Sequence, residues 1–205
     1  MAKKILRTIL GIIIIYGAVA FAMKAGLGVL PVDAAIATIA DVIHMKVGTF
    51  AMLFHGCFIV GQILFEKKNF RKTEFLQVAY VVFGGSVLNF IYYTVLAGVN
   101  ITLYPIRLLV AVLAFIVSAF GVSIVLETHL MRTPMEGFLQ MVADKIGMAA
   151  GRLRQIIDIG LVIISVVLTL IFSTAWTLRE GTIIAALIFG PAIDLWTKLL
   201  FRKTK

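Results

Sequence analysis

The sequence is poor in the residues that most chemistry uses. It has one cysteine, three histidines and ten acidic residues in 205 positions. Cys57 stands alone in the apolar run FAMLFHGCFIVGQILF, so the chain forms no internal disulfide and has no cysteine-based metal motif. HExxH, GxSxG and Walker spacings are all missing, which leaves an enzyme reading without a motif. Charge of either sign is scarce. Charged residues make up 14% and hydrophobic residues 61%, whereas a soluble domain is about a quarter charged and about half apolar. With a mean hydropathy of +1.08, this is the composition of an integral membrane protein.

Long apolar runs are abundant. Six segments, at about 5–25, 48–65, 75–97, 106–127, 151–172 and 181–200, are long and apolar enough to cross hydrocarbon as helices. They leave no length for a separate soluble domain, so the expectation is one membrane domain over 1–205. The net charge of +9 does not indicate nucleic acid, because the basic residues flank apolar segments and form no basic helical face. Placing the N-terminus in the cytoplasm puts 15 of the 19 basic residues inside and leaves Lys24, Lys46, Arg107 and Arg179 outside. That asymmetry predicts cytoplasmic termini and an even number of spans.

The chain also repeats. Shifted by 103 residues, PVDAAIATIADVIHMKVG (31–48) aligns without a gap on PMEGFLQMVADKIGMAAG (134–151), with six of 18 positions identical. The identities are Pro31/Pro134, Ala40/Ala143, Asp41/Asp144, Ile43/Ile146, Met45/Met148 and Gly48/Gly151. At offset 105, Gly85 meets Gly190 and Asn89 meets Asp194. Repeat 1 covers about 5–97 and repeat 2 about 106–205, each with three spans and one short Pro-started helix. An odd number of spans inverts the second copy, an architecture that recurs in secondary transporters. It also argues for retaining the first span, although Ala18-Val19-Ala20 imitates a signal-peptidase site.

The short helices carry Asp33 and Asp41 in one copy and Glu136 and Asp144 in the other, along one stripe. They are too short to span. Either they lie flat at the interface with their acids in water, or they are re-entrant and line a polar cavity. His55 and its repeat equivalent Asp158 would sit roughly 10–12 Å deep from opposite sides, where an ionisable group is a functional candidate. The plain alternatives are a hydrogen-bonded core histidine and an Asp158–Arg154 pair one turn apart. Asn89 and Asp194 each follow a glycine by one turn. Gly85, Gly190 and Pro191 are expected to break their helices and free carbonyls for a cation or polar substrate. Gln77 and Thr182 are weaker candidates. Ala18, Ala22 and Gly26 form a packing stripe.

AGLGVLPVDAAIATIADVIHMKVGTF, its recurrence at Pro134 and REGTIIAALIFGPAIDLW together resemble the YczE/YitT group of bacterial inner-membrane proteins. Val32 stands where that group usually has Trp, and Glu136 where it has Asp. The resemblance implies a compact polytopic fold in a bacterial inner membrane and names no substrate. The expectation is a small secondary transporter or permease working by alternating access. Asp33, Asp41, Glu136 and Asp144 would line the entrances, and His55, Asp158, Asn89 and Asp194 would form a central site. A proton or sodium ion is the candidate coupling ion, with His55 or Asp158 carrying the proton. No cofactor or metal is expected. The partners are the lipid bilayer and a small-molecule or ion substrate, and six short spans leave room for a homodimer. The competing readings are a non-transporting scaffold or regulatory protein and a lipid-handling protein.

Overall fold

The computed structural model describes residues 2–67 and 72–201. Eight α-helices follow in order: α1 (Ala2–Ala25), α2 (Pro31–Val42), α3 (Val47–Glu66), α4 (Leu76–Phe90), α5 (Tyr104–Thr128), α6 (Pro134–Ile146), α7 (Ala150–Phe172) and α8 (Glu180–Phe201). A 3₁₀ turn, Lys72–Phe75, leads into α4, whose last turn widens into a π-helix over Ile91–Val95. Six helices are long and apolar enough to cross a membrane: α1, α3, α4 with its π turn, α5, α7 and α8. They coincide with the six expected spans. The two short Pro-started helices, α2 and α6, fall between them.

Each short helix begins where the sequence predicts, with proline in the first turn after an extended residue. Both end in the same closing turn. His44 and Gly147, equivalent at offset 103, are left-handed at φ 55° and 68°. The Met45 N–H donates to the Ala40 carbonyl at 2.8 Å, and the Met148 N–H donates to the Ala143 carbonyl at 3.0 Å. Two of the six identities between the copies are therefore the partners of one hydrogen bond, the 6→1 bond of a Schellman-type stop.

The central contact is α1 against α5. Thr8 meets Thr128, Gly11 meets Gly121 and Val125, and Ala25 meets Arg107, so the two helices run antiparallel. A Cβ at Gly11 would lie 3.0 Å from the Gly121 carbonyl oxygen, and one at Gly121 would lie 3.0 Å from that of Gly11. The backbones approach this closely because neither glycine has a side chain to hold them apart, as lipid-embedded helices require when no hydrophobic drive brings them together. Ala18 and Ala22 of the expected packing stripe are buried in α1, whereas Gly26 lies past its end with φ 64°. Around this pair α2 packs on α7, α6 on α3, α4 on α1 and α3, and α8 on α5. Leu187, Ile183 and Leu199 of α8 stay exposed.

Described cations gather at the two ends of the bundle. At one end Lys24 and Lys46 lie over the Tyr92 and Tyr93 rings, and Arg107 and Arg179 both donate to the Gly26 carbonyl. At the other, Arg132 pairs with Glu66 and Lys145 lies over Phe65. Lys68, Arg71, Arg202, Lys203 and Lys205, which complete the larger set, lie outside the described residues.

Two expectations about helix breaks need correction. α4 runs unbroken through Gly85, and α8 runs unbroken through Gly190 and Pro191. Gly84 and Gly85 instead admit close neighbours: the Tyr16 ring lies where a Gly84 Cβ would be, and the Gly48 carbonyl where a Gly85 Cβ would be. Pro191 is exposed within α8, which packs mainly on α5 and touches the loop after α1 through Gly181 and Thr182.

Candidate functional site

Arg154, one turn into α7, ties together several of the residues expected to matter. Its Nε donates to both Asp158 carboxylate oxygens at 3.0 Å, and its Nη1 lies 3.8 Å from Glu136. It also acts electrostatically on Asp33 and on His55. Asp33 in turn acts on Tyr16 and Tyr80, whose ring centroids are 6.1 Å apart, and Glu136 acts on Tyr80. The first-turn acids of both short helices therefore lie within electrostatic reach of one arginine, Asp33 partly buried and Glu136 exposed.

The two short helices reach this region differently. α2 buries Ala34, Ala35, Ile36, Ala37, Thr38 and Ala40, which an interfacial helix lying flat would not do. Asp33 borders a small void beside Ala18 and Ser118, roughly 10 Å below the end of α1 at 1.5 Å per residue. Burial pushes its carboxyl up to about 6, against the opposing pull of Arg154. α6 keeps Glu136, Gln140 and Asp144 exposed, and Gln140 donates to Asp144 at 2.8 Å. α2 is buried along most of its length, whereas α6 is amphipathic.

A second polar group seals the bundle near the Arg132 end. Gln62 of α3, Gln77 of α4 and Glu74 are fully buried. The two glutamines exchange amide hydrogen bonds at 3.0 and 3.2 Å. Gln62 also donates to the Pro134 carbonyl at 2.7 Å, and Gln77 donates to Glu74 at 2.6 Å. Arg132 lies 3.2 Å from Glu66 and 3.5 Å from Glu74. This network joins α3, the start of α4 and the start of α6. Buried amides need such partners because water is not there to replace them.

At the opposite end a cavity of about 350 Å³ is lined in part by Asp41, Met45, Tyr92, Tyr93, Trp176 and Thr177. Its floor is held by the hydroxyls of Thr38 and Thr177, 2.7 Å apart, and by the Val29 N–H donating to the Thr177 carbonyl at 3.3 Å.

The expected central quartet is not assembled. Asp158 is ion-paired with Arg154, the plainer of its two readings. His55 keeps a buried Nδ1 without a hydrogen-bond partner among the described residues, beside the Phe54 ring at 5.5 Å. Asn89 does a structural job: its Oδ1 accepts from the Gly48 N–H at 2.9 Å and its Nδ2 donates to Thr49 at 2.9 Å, capping the start of α3. Asp194 is exposed on α8. Of the entrance acids, Asp41 lines the cavity and Asp144 lies exposed at the other end. Gln62, Glu74 and the Tyr16–Tyr80 pair were not singled out from the sequence. A glutamine and a glutamate in or beside apolar runs were the available signal for the first two. Among the described residues, no group of three His, Cys, Asp or Glu could hold a metal ion.

No curated protein and no solved structure matches the chain. A family model does: the one described as Family of unknown function (DUF6198) matches residues 2–198, nearly the whole length, and the chain belongs to that family.

Proposed function

We propose that the protein is a small secondary transporter or permease, built as two inverted repeats and working by alternating access. The setting we propose is a bacterial inner membrane with both termini cytoplasmic. The observation that carries the reading is the exchange of packing between the copies. α2 of the first repeat lies on α7 of the second, α6 of the second lies on α3 of the first, and the equivalent helices α1 and α5 cross antiparallel between them. Antiparallel contact of equivalent helices is what a two-fold axis in the membrane plane would produce.

The copies then differ in one respect that suits a two-state machine. α3 packs on α4 through Gly48, Gly85 and Asn89, whereas α7 does not pack on α8 in the same way. Gly151 and Gly190, the equivalents of that glycine pair, have open space where a Cβ would stand. With a cavity open at the Lys24 end and a buried polar seal at the Arg132 end, this is the arrangement of an outward-facing state. Asp33, whose carboxyl burial pushes up to about 6, joins His55 as a proton-carrier candidate, while Asp158 is engaged by Arg154.

Sidedness tests the reading. Ala34 is buried and a Gly137 side chain would crowd Gln62, so the probes belong at exposed Lys46 and Asp144. In a Cys57→Ser background, Lys46→Cys is expected to react with an impermeant thiol reagent in intact cells, and Asp144→Cys only after permeabilisation. Labelling of both from the same side would remove the inversion and the reading with it.

A lipid-handling function draws on a separate feature, a groove of about 320 Å³ between α1 and α4 lined by Ile5, Ile9, Ile12, Ala79, Tyr80 and Phe83. Its wall is almost wholly apolar and suits an acyl chain. It offers no polar track for a headgroup, which is why transport is the preferred reading.

A further inference from the structure

The cavity at the Lys24 end has a chemistry of its own. Three aromatic residues (Tyr92, Tyr93, Trp176), two thioethers (Met23, Met45) and one carboxylate (Asp41) line it. Its volume of about 350 Å³ falls within the range of small-molecule sites, roughly 300–1,000 Å³. Asp41 is exposed and lies within electrostatic reach of Tyr92, and its carboxylate makes no hydrogen bond or ion pair among the described residues. Asp41 and Met45 are also two of the six positions identical between the copies, so the opposite end carries the same pair as Asp144 and Met148.

The rings already show what they attract. Lys24 Nζ lies 5.3 Å from the Tyr92 centroid and Lys46 Nζ lies 5.7 Å from that of Tyr93. An aromatic ring draws a cation to its electron-rich face, and the attraction is strongest for a cation that sheds its water easily. A small metal ion would find one carboxylate there, and no group of three His, Cys, Asp or Glu among the described residues. An ammonium ion bearing carbon substituents would find rings and thioethers for its apolar shell and Asp41 for its charge.

We propose that this cavity binds an organic monocation of the ammonium class, with Asp41 as counter-ion and Tyr92, Tyr93 and Trp176 as the aromatic wall. Lys24 and Lys46 act there as tethered competitors that occupy the rings when the ligand is absent. In taking the ligand as cargo, the proposal rests on the transporter reading.

Trp176 provides the readout. The chain has two tryptophans, and the other, Trp196, donates to the Ile116 carbonyl away from the cavity. A Trp196→Phe protein in lipid nanodiscs is titrated with tetraethylammonium chloride at constant ionic strength, following Trp176 fluorescence. A saturable change is expected. Asp41→Asn should weaken it roughly tenfold or more, and Asp41→Glu should retain it. Lys24→Gln with Lys46→Gln should tighten it. No saturable change, an unaltered response in Asp41→Asn, or saturation by benzoate but not by tetraethylammonium would overturn the proposal. Flux of labelled tetraethylammonium into proteoliposomes separates the two readings. Binding without flux keeps the cavity assignment and removes transport, whereas flux of another solute without this binding removes the cavity assignment alone.

Discussion

Single residues show how one duplicated motif has come to carry different loads. His44 and Gly147 close equivalent helices in the same left-handed conformation, but only glycine holds it without a Cβ penalty of about 1–2 kcal/mol. Gly147→Ala should therefore lower stability by about 1 kcal/mol, although the site has open space around it and no contact is lost. His44→Gly should be neutral to slightly stabilising, because relief of the backbone offsets the added freedom of the unfolded chain. Thermal unfolding of the two variants in detergent checks the pair, and a loss in His44→Gly as large as in Gly147→Ala would contradict the strain argument. The identities that pair across both closing turns were legible from the alignment at offset 103. The left-handed histidine was not, since only the glycine in the second copy signals such a turn.

At the level of elements, the seal near Arg132 depends on Gln62, which joins three elements through one side chain. Replacing it with leucine would strip the Gln77 side-chain oxygen and the Pro134 carbonyl of the donor that Gln62 supplies to each in a buried site, while the Gln77 amide nitrogen keeps Glu74. Each such orphan costs about 1–3 kcal/mol, so Gln62→Leu should destabilise by about 2–4 kcal/mol. Adding Gln77→Leu should cost less than a second penalty of that size, because the glutamine pair is already broken. A double-mutant cycle on unfolding midpoints reads this directly, and simple additivity would show that the two amides act independently. The six spans and two short helices could be read from hydropathy and proline to within a few residues. The network could not, because it joins residues up to 72 positions apart that share no periodicity.

For the molecule as a whole, the contrast between the α3–α4 and α7–α8 pairs is the main feature. α3 and α4 are closed on each other by the Gly48–Gly85 contact and the Asn89 cap. Gly151 and Gly190, which align with those glycines in sequence, have open space where a Cβ would stand. If the two arrangements interchange, the α7–α8 separation should take two values and the α3–α4 separation should change in the opposite sense. Spin labels at exposed Ile163 and Leu187, and in a second protein at Val60 and Val82, would read both separations by pulsed dipolar spectroscopy. One narrow distance for each pair, unmoved by any ligand that binds, would describe a static protein and favour a scaffold role.

Some features of this protein follow from local chemistry along the chain and so are determined by sequence alone. Hydrocarbon length and apolar composition set the six spans. Proline at a helix start set α2 and α6, and the positions of the cations set which ends are basic. The candidate site depended on tertiary structure, because its members answer to neighbours distant in sequence. Asp158 was a candidate by its depth and Asn89 by its place one turn after Gly85. Arg154 claims one and the start of α3 claims the other, while Asp41 and Trp176, 135 positions apart, come to share a cavity. A polar group in an apolar run must find a partner, but the sequence does not say which one, and only the packing of the helices decides.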